Sequence, residues 1–115
     1  MSADVYIGLG ANLGNPRTNF EKCLPFIEGY SQIISRSRIY RSAPYGFVDQ
    51  PSFINAALRI ETNLPPLDLL YKLQVTEKAL GKKVIRKNGP RAIDLDLLLY
   101  DELSLENDDL MIPHP

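Results

Sequence analysis

Apolar residues recur along this chain at two different spacings, and the order in which those spacings alternate limits the possible folds. Val5 to Gly10 is a short apolar run ending in glycines, which predicts a first strand. Asn15-Pro16 then supplies a helix cap followed by proline at the first helical position. Phe20, Cys23, Leu24 and Ile27 follow at i, i+3, i+4 and i+7, one helical face. Pro25 falls inside that face and predicts a kink or an early end, because it lacks an amide donor and crowds the preceding turn. Ile33 to Tyr40 is rich in β-branched and aromatic residues and predicts a second strand. Phe53 to Ile60 predicts a third, with Phe53, Asn55, Ala57 and Arg59 on one face and Ile54, Ala56, Leu58 and Ile60 on the other. Pro65-Pro66 opens a second helix through Leu80, with Leu69, Leu70, Leu73 and Leu80 as its buried stripe and Gly81 placed to end it. Gln74 and Glu77, three residues apart, are expected to share a face of that helix. Arg91 to Tyr100 predicts a last strand, with Ile93, Leu95, Leu97 and Leu99 on one face. The order β-α-β-β-α-β is that of a ferredoxin-like α/β (α+β) fold, an antiparallel sheet with two helices on one face.

At 115 residues the chain is long enough for one domain with one core, and residues 1–115 are read as a single unit. Its formal net charge of -1 gives no whole-chain field that would favour nucleic acid or an anionic membrane as partner. No apolar run is long enough to span a bilayer, and the first residues lack the pattern of a signal peptide. Cys23 is the single cysteine, so an internal disulfide is ruled out; it reads as a small buried apolar residue in a reducing, cytoplasmic setting.

Asp94-Leu95-Asp96 is the sharpest polar feature, because it interrupts an otherwise apolar strand. Alternation turns both carboxylates to the same face and Ile93, Leu95 and Leu97 to the other. Two anions so close repel each other unless something neutralises them. A hard divalent cation would do so, and magnesium commonly takes one or two carboxylates plus substrate phosphates. The pair alone fits two exposed acids on the wet face of a sheet equally well. Its neighbours shift that balance. Lys82, Lys83, Arg86, Lys87 and Arg91 lie between Gly81 and Ala92 with no acid among them. Cations beside paired carboxylates suit a metal-bound polyphosphate, and phosphoryl transfer asks a protein mainly for positioning and charge neutralisation. A basic loop that is merely solvated remains the alternative.

Three further features are less decisive. Gly8-Leu9-Gly10-Ala11-Asn12-Leu13-Gly14 has its third glycine one position too late for a dinucleotide fingerprint, so it reads as a strand-to-helix turn whose backbone could border a ligand. Phe53 and Asn55 share a strand face with Tyr45 on the adjoining loop, a set that suits stacking and hydrogen bonding of a flat heterocycle but is more often a core ring and a satisfied amide. His114, the one histidine, sits between two prolines and reads as a rigid exposed loop residue.

Taken together these segments resemble the hydroxymethyldihydropterin pyrophosphokinases. The resemblance rests on Gly89-Pro90-Arg91-Ala92-Ile93-Asp94-Leu95-Asp96-Leu97, the opening Gly8 to Gly14, Tyr40-Arg41-Ser42-Ala43-Pro44, Gln50-Pro51-Ser52-Phe53-Ile54-Asn55-Ala56-Ala57 and Ile112-Pro113-His114-Pro115, in that family's order. It implies a sequential reaction in folate biosynthesis. ATP with two magnesium ions and a reduced pterin bind side by side, the pterin hydroxymethyl oxygen attacks the β-phosphorus, and AMP leaves. By the same resemblance Asp94 and Asp96 hold both magnesium ions, and Arg91 and Lys82 contact phosphates. Gln74 and Glu77 lie at nucleotide-contact positions, and Leu97, Leu110 and His114 border the nucleoside. Ser42, Ala43, Tyr45, Phe53 and Asn55 meet the pterin. The segment from Lys82 to Asn88 becomes a lid over ATP. A monomer is expected, with fusion to other folate enzymes as a variant arrangement.

The match has departures. Many family members have Arg where this chain has Lys82, which keeps the charge but loses the bidentate fork. Many bacterial members have Trp at Asn88, and Asp109 and Met111 stand at positions that are often basic and Thr. The family also continues past the Pro-His-Pro motif with a basic, aromatic-bearing segment, so the 115 residues alone are expected to be weakly active. The competing reading is a non-catalytic ferredoxin-like module, such as an RNA-binding domain. RNA binding would need exposed aromatics and a basic sheet face where this chain offers two aspartates.

Overall fold

The computed structural model describes residues 2–43, 49–81 and 91–115. Strand β1 (Ala3–Ala11) is followed by helix α1 (Pro16–Glu28), strands β2 (Gln32–Arg36), β3 (Tyr40–Ser42) and β4 (Phe53–Thr62), helix α2 (Pro66–Ala79) and strand β5 (Asp94–Tyr100). The main sheet runs β2-β4-β1-β5, with β3 also paired to β4, and every pairing is antiparallel. This strand order, with both helices against the sheet, is the ferredoxin-like arrangement expected from the order of apolar spacings.

Alternation in the strands and the helical stripes meet in one core. Val5, Ile7, Leu9, Leu58, Ile60, Leu95 and Leu97 come from the sheet; Phe20, Cys23, Ile27, Leu69 and Leu73 come from the helices. Leu70 and Leu80 pack at its margin. The α1 cap forms as expected: Asn15 Oδ1 accepts from the Thr18 amide at 3.2 Å, with Pro16 as the first helical residue. Gly81, at φ +89°, follows the end of α2 in a backbone region that costs glycine nothing.

The structure corrects four expectations. Of the kink or early end expected at Pro25, the early end does not occur: helix α1 runs three residues beyond it to Glu28. The bond that Pro25 cannot make would have gone to the Glu21 carbonyl, and both residues lie on the exposed side, where water can serve that carbonyl. The predicted second strand is two pieces, β2 and β3. At the break the Ser37 hydroxyl accepts from the Ala57 amide at 2.8 Å while the Ser37 amide donates to the Ala57 carbonyl, so a side chain replaces part of the ladder. Leu99 is not on the core face. The β1–β5 register skips a residue between Tyr6 and Ile7, leaving Leu98 as an extra residue in β5. That bulge turns Leu99 outward at 41% exposure and directs Tyr100 inward, where its hydroxyl donates to the Leu64 carbonyl at 2.6 Å. Finally, a two-stranded hairpin, β6 (Leu105–Glu106) and β7 (Met111–Ile112), follows β5 and had no counterpart among the predicted elements. Asn107 Oδ1 closes its turn by accepting from the Asp109 and Leu110 amides, and Leu110 and Ile112 join the core.

Cys23 is fully buried, as expected of a small apolar residue, and its Sγ lies 3.1 Å from the Phe20 carbonyl. Burial pushes its thiol up to about 12, and Tyr30, also raised by burial, reaches about 12 beside the Thr76 hydroxyl. Both groups are disfavoured as anions in the folded state. Their contribution to stability is therefore complete below the thiol's ordinary value of 9.0 and is lost as pH rises toward 12. Two outcomes are expected: a thiol reagent at pH 8 labels Cys23 only at the rate of unfolding, and urea midpoints fall steadily above pH 9.0. Rapid labelling of the native protein would contradict the burial.

Candidate active site

The sheet face opposite the helices holds the residues that the sequence singled out. Register places them in two rows. Tyr40 of β3 stands beside Asn55 of β4, Asn55 beside Gly10 of β1, and Gly10 beside Asp94 of β5. One step along, Ala57 stands beside Gly8, and Gly8 beside Asp96. Both aspartates therefore stand beside glycines across the strand, and among the described residues the Leu98 side chain covers Gly8, 3.3 Å from where its Cβ would lie. The glycines open a trough of about 480 Å³, lined among others by Gly8, Gly10, Ser42, Phe53, Asn55 and Asp96. Its two walls, β4 and β5, are two strand spacings apart, about 10 Å. Sequence reasoning put Gly8 and Gly10 at the end of the first strand and in the turn after it, without assigning them a face. Their shared parity with Tyr6, opposite Val5, Ile7 and Leu9, was the signal that they pave a sheet face.

The trough's electrostatics concentrate at β5. Asp94 is less open than Asp96, with side-chain exposures of 30% and 52%. Arg91 Nε lies 3.8 Å from Asp94 Oδ1, and His114 Nε2 lies 3.8 Å from Asp96 Oδ1. His114 is brought there by the backbone: its amide donates to the Leu98 carbonyl at 3.0 Å, which pins the segment after β7 along β5. The residue read as a rigid exposed loop histidine thus stands at the acid pair. The donor set suits a hard cation, since two carboxylates on one open face leave the rest of an octahedral shell to phosphate oxygens and water. A second hollow of about 340 Å³ adjoins Asp96 and is lined by Leu70, Leu97, Leu110, Met111 and His114 among others.

Three supporting residues were not recognised from sequence as such. Asn12, only 4% exposed, ties three segments together. Its Nδ2 donates to Gln50 Oε1 at 2.8 Å and the Pro51 carbonyl at 2.9 Å, its Oδ1 accepts from the Arg91 amide at 2.9 Å, and its own amide donates to the Arg91 carbonyl at 3.0 Å. Asn19 adds a bond to the Ala92 carbonyl at 2.9 Å. The turn after β1, the entry to β5 and the approach to β4 are thereby locked as one unit. A buried carboxamide in a turn leaves almost no trace in residue spacing, which is why it escaped notice. Glu77 was expected to share a face with Gln74. Instead Gln74 is exposed, whereas Glu77 is 7% exposed and its Oε2 accepts from the Leu95 amide at 2.7 Å.

Of the remaining expected residues, Ser42 lies at the trough, where its Oγ accepts from Asn55 Nδ2 at 2.6 Å, and Ala43 is exposed just after β3. Tyr45 and the whole Lys82–Asn88 segment lie outside the described residues.

Residues 6–115 match the family described as 7,8-dihydro-6-hydroxymethylpterin-pyrophosphokinase. The chain belongs to this family. Among curated relatives, the 2-amino-4-hydroxy-6-hydroxymethyldihydropteridine pyrophosphokinase of Aquifex aeolicus is 39% identical over 98% of this chain and 71% of its own length. That of Haemophilus influenzae is 41% identical over 95% of this chain and 69% of its own length. The folic acid synthesis protein fol1 of Pneumocystis carinii is 44% identical over 96% of this chain, which spans 15% of that larger protein.

Within a pyrophosphokinase fold the glycine floor carries a specific expectation. A Cβ at Gly10 would come 3.4 Å from Asn55 Oδ1, an ordinary contact, so the backbone there can carry a side chain, and Gly10→Val would fill the trough. Its thermal midpoint should stay close to the parent's, because β-branched residues suit strands. Calorimetry with a hydroxymethylpterin probe should show affinity reduced by at least about tenfold, 1.4 kcal/mol. Unchanged pterin affinity would mean that the trough is not the site.

Proposed function

We propose that this chain transfers diphosphate from magnesium-bound ATP to the hydroxymethyl group of 6-hydroxymethyl-7,8-dihydropterin and releases AMP, the step by which the family serves folate biosynthesis. The observation that carries this reading is the glycine-floored trough, with a carboxamide and an aromatic ring on one wall and paired carboxylates on the other. A separation of about 10 Å suits a heterocycle at one side whose hydroxymethyl arm reaches a phosphate chain at the other.

In this reading Phe53 stacks on the pterin, and Asn55 and Ser42 hydrogen-bond its edge, with Ala43 and Tyr45 at the rim. Asp94 and Asp96 hold two magnesium ions. Bound there, the metal supplies neutralisation of phosphate charge. Arg91, already beside Asp94, turns its guanidinium to the nucleotide phosphates, and Lys82 joins it. The adenosine lies in the hollow of Leu97, Leu110 and His114, with Gln74 at its edge. The hydroxymethyl oxygen attacks the β-phosphorus as its proton departs, a new O–Pβ bond forms, and the bridging bond to the α-phosphate breaks with AMP leaving. Protein groups orient the two substrates in line and stabilise the spreading charge, which is most of what phosphoryl transfer requires.

The experiment is AMP release from ATP with the pterin alcohol as acceptor. Asp94→Asn and Asp96→Asn should each lower kcat/KM by about 10³-fold, since metal-borne charge stabilisation is worth several kcal/mol. Parent-level turnover in either variant would refute the assignment.

A further inference from the structure

Strand β5 carries the acid pair, yet it is the terminal strand of the main sheet. Among the described residues only β1 flanks it with a full ladder, so amide and carbonyl groups on its other side need partners from elsewhere. His114 donates to the Leu98 carbonyl at one end. At the other end the acceptor is a side chain, Glu77 Oε2, 2.7 Å from the amide of Leu95. Leu95 is the residue between the two aspartates, and its own side chain is buried in the core. Glu77 lies in the buried row of α2 with Leu69, Leu73 and Thr76. Helix, core and carboxylate thus converge on one peptide unit.

We infer that Glu77 is a positioning residue: its carboxylate grips the Leu95 amide and thereby fixes the peptide from which Asp94 and Asp96 project toward the cation. This rests on the metal-binding reading of the two aspartates and assigns Glu77 a role through β5, distinct from a nucleotide contact. The physical argument is geometric. Two carboxylates on alternate residues share one cation cluster only if the intervening peptide plane keeps its orientation. An edge strand lacks the second ladder that would hold it. The bond from Leu95 to Glu77 is short, 2.7 Å, and needs only a side-chain oxygen at the right reach from α2. Partners of this kind commonly cost 10–100-fold in metal affinity when removed, on the order of magnitude seen for outer-shell groups generally.

The test measures Mn2+ bound by the protein with a non-hydrolysable ATP analogue, from the loss of the free-ion electron paramagnetic resonance signal, together with hydrogen exchange at the Leu95 amide. Glu77→Gln keeps an acceptor and should hold Mn2+ affinity within about threefold of the parent, whereas Glu77→Leu and Glu77→Asp should each weaken it by about tenfold or more. In the same two variants Leu95 should lose exchange protection while Asp96, whose amide faces Gly8 of β1, keeps its own. The Asp variant retains charge but is one methylene short, so it covers the case in which the Leu variant does not fold. Parent-like Mn2+ affinity in the Asp variant, or in a folded Leu variant, overturns the inference. So does a Gln variant as weak as the Asp one. Asp94→Asn separates this from failure of the underlying reading. If it leaves Mn2+ binding intact, the metal assignment falls; if it abolishes binding while the shortened Glu77 variant does not, only the positioning role falls.

Discussion

The pairing of β5 against the glycine-bearing segment of β1 is the constraint on which the remainder of the site depends. Opposite any larger residue, Asp94 and Asp96 would be covered or pushed apart. Opposite Gly10 and Gly8 they stand on a low floor, capped at the Gly8 end by the Leu98 side chain, that continues to Asn55 on the far side of β1. The register is held from below by the interdigitation of Val5, Ile7 and Leu9 with Leu95 and Leu97, since a slip of one residue would exchange core and trough faces. Core packing and site geometry are therefore consequences of the same ladder.

Around that ladder, polar groups fix what a sheet edge leaves loose. Asn12 joins the entry of β5 to the approach of β4, so the two walls of the trough share one buried hub. Glu77 secures the outer edge of β5 at Leu95, and His114 bonds the same strand at Leu98. Each of these bonds converts an amide or carbonyl that would otherwise require solvent into a structural tie. The bulge at Leu98 has a related effect: it ends the alternation beyond the acid pair, returns Tyr100 to the core and leaves Leu99 outside.

The fold was legible because Val5–Leu9, Phe53–Ile60 and the two helical stripes each agree with a single period over enough residues to outweigh local exceptions. The exceptions were local. Pro25 misled because its cost depends on whether water reaches the abandoned carbonyl, which spacing does not encode. Leu99 misled because one inserted residue reverses every later parity. In the site, Asp94 and Asp96 were visible as charges out of place in an apolar strand, and Phe53 and Asn55 as a shared face. Gly8 and Gly10 acquired meaning only when β1 was seen between those two faces. Asn12 and Glu77 act through bonds to backbone atoms of Arg91, Pro51 and Leu95, partners remote in sequence and invisible to motif. The family resemblance named the chemistry, while the cross-strand register gives the physical reason that these residues suit it.

The central claim is that the two carboxylates of β5 jointly seat the cations that carry ATP's phosphates. It is tested most directly by diffraction from crystals grown with Mn2+ and a non-hydrolysable ATP analogue, using the manganese anomalous signal. The account predicts anomalous peaks within coordination distance, about 2.0–2.2 Å, of both Asp94 and Asp96, with phosphate oxygens completing the shell on the trough side. Manganese held by the nucleotide alone, or at carboxylates elsewhere with this pair uninvolved, would contradict it.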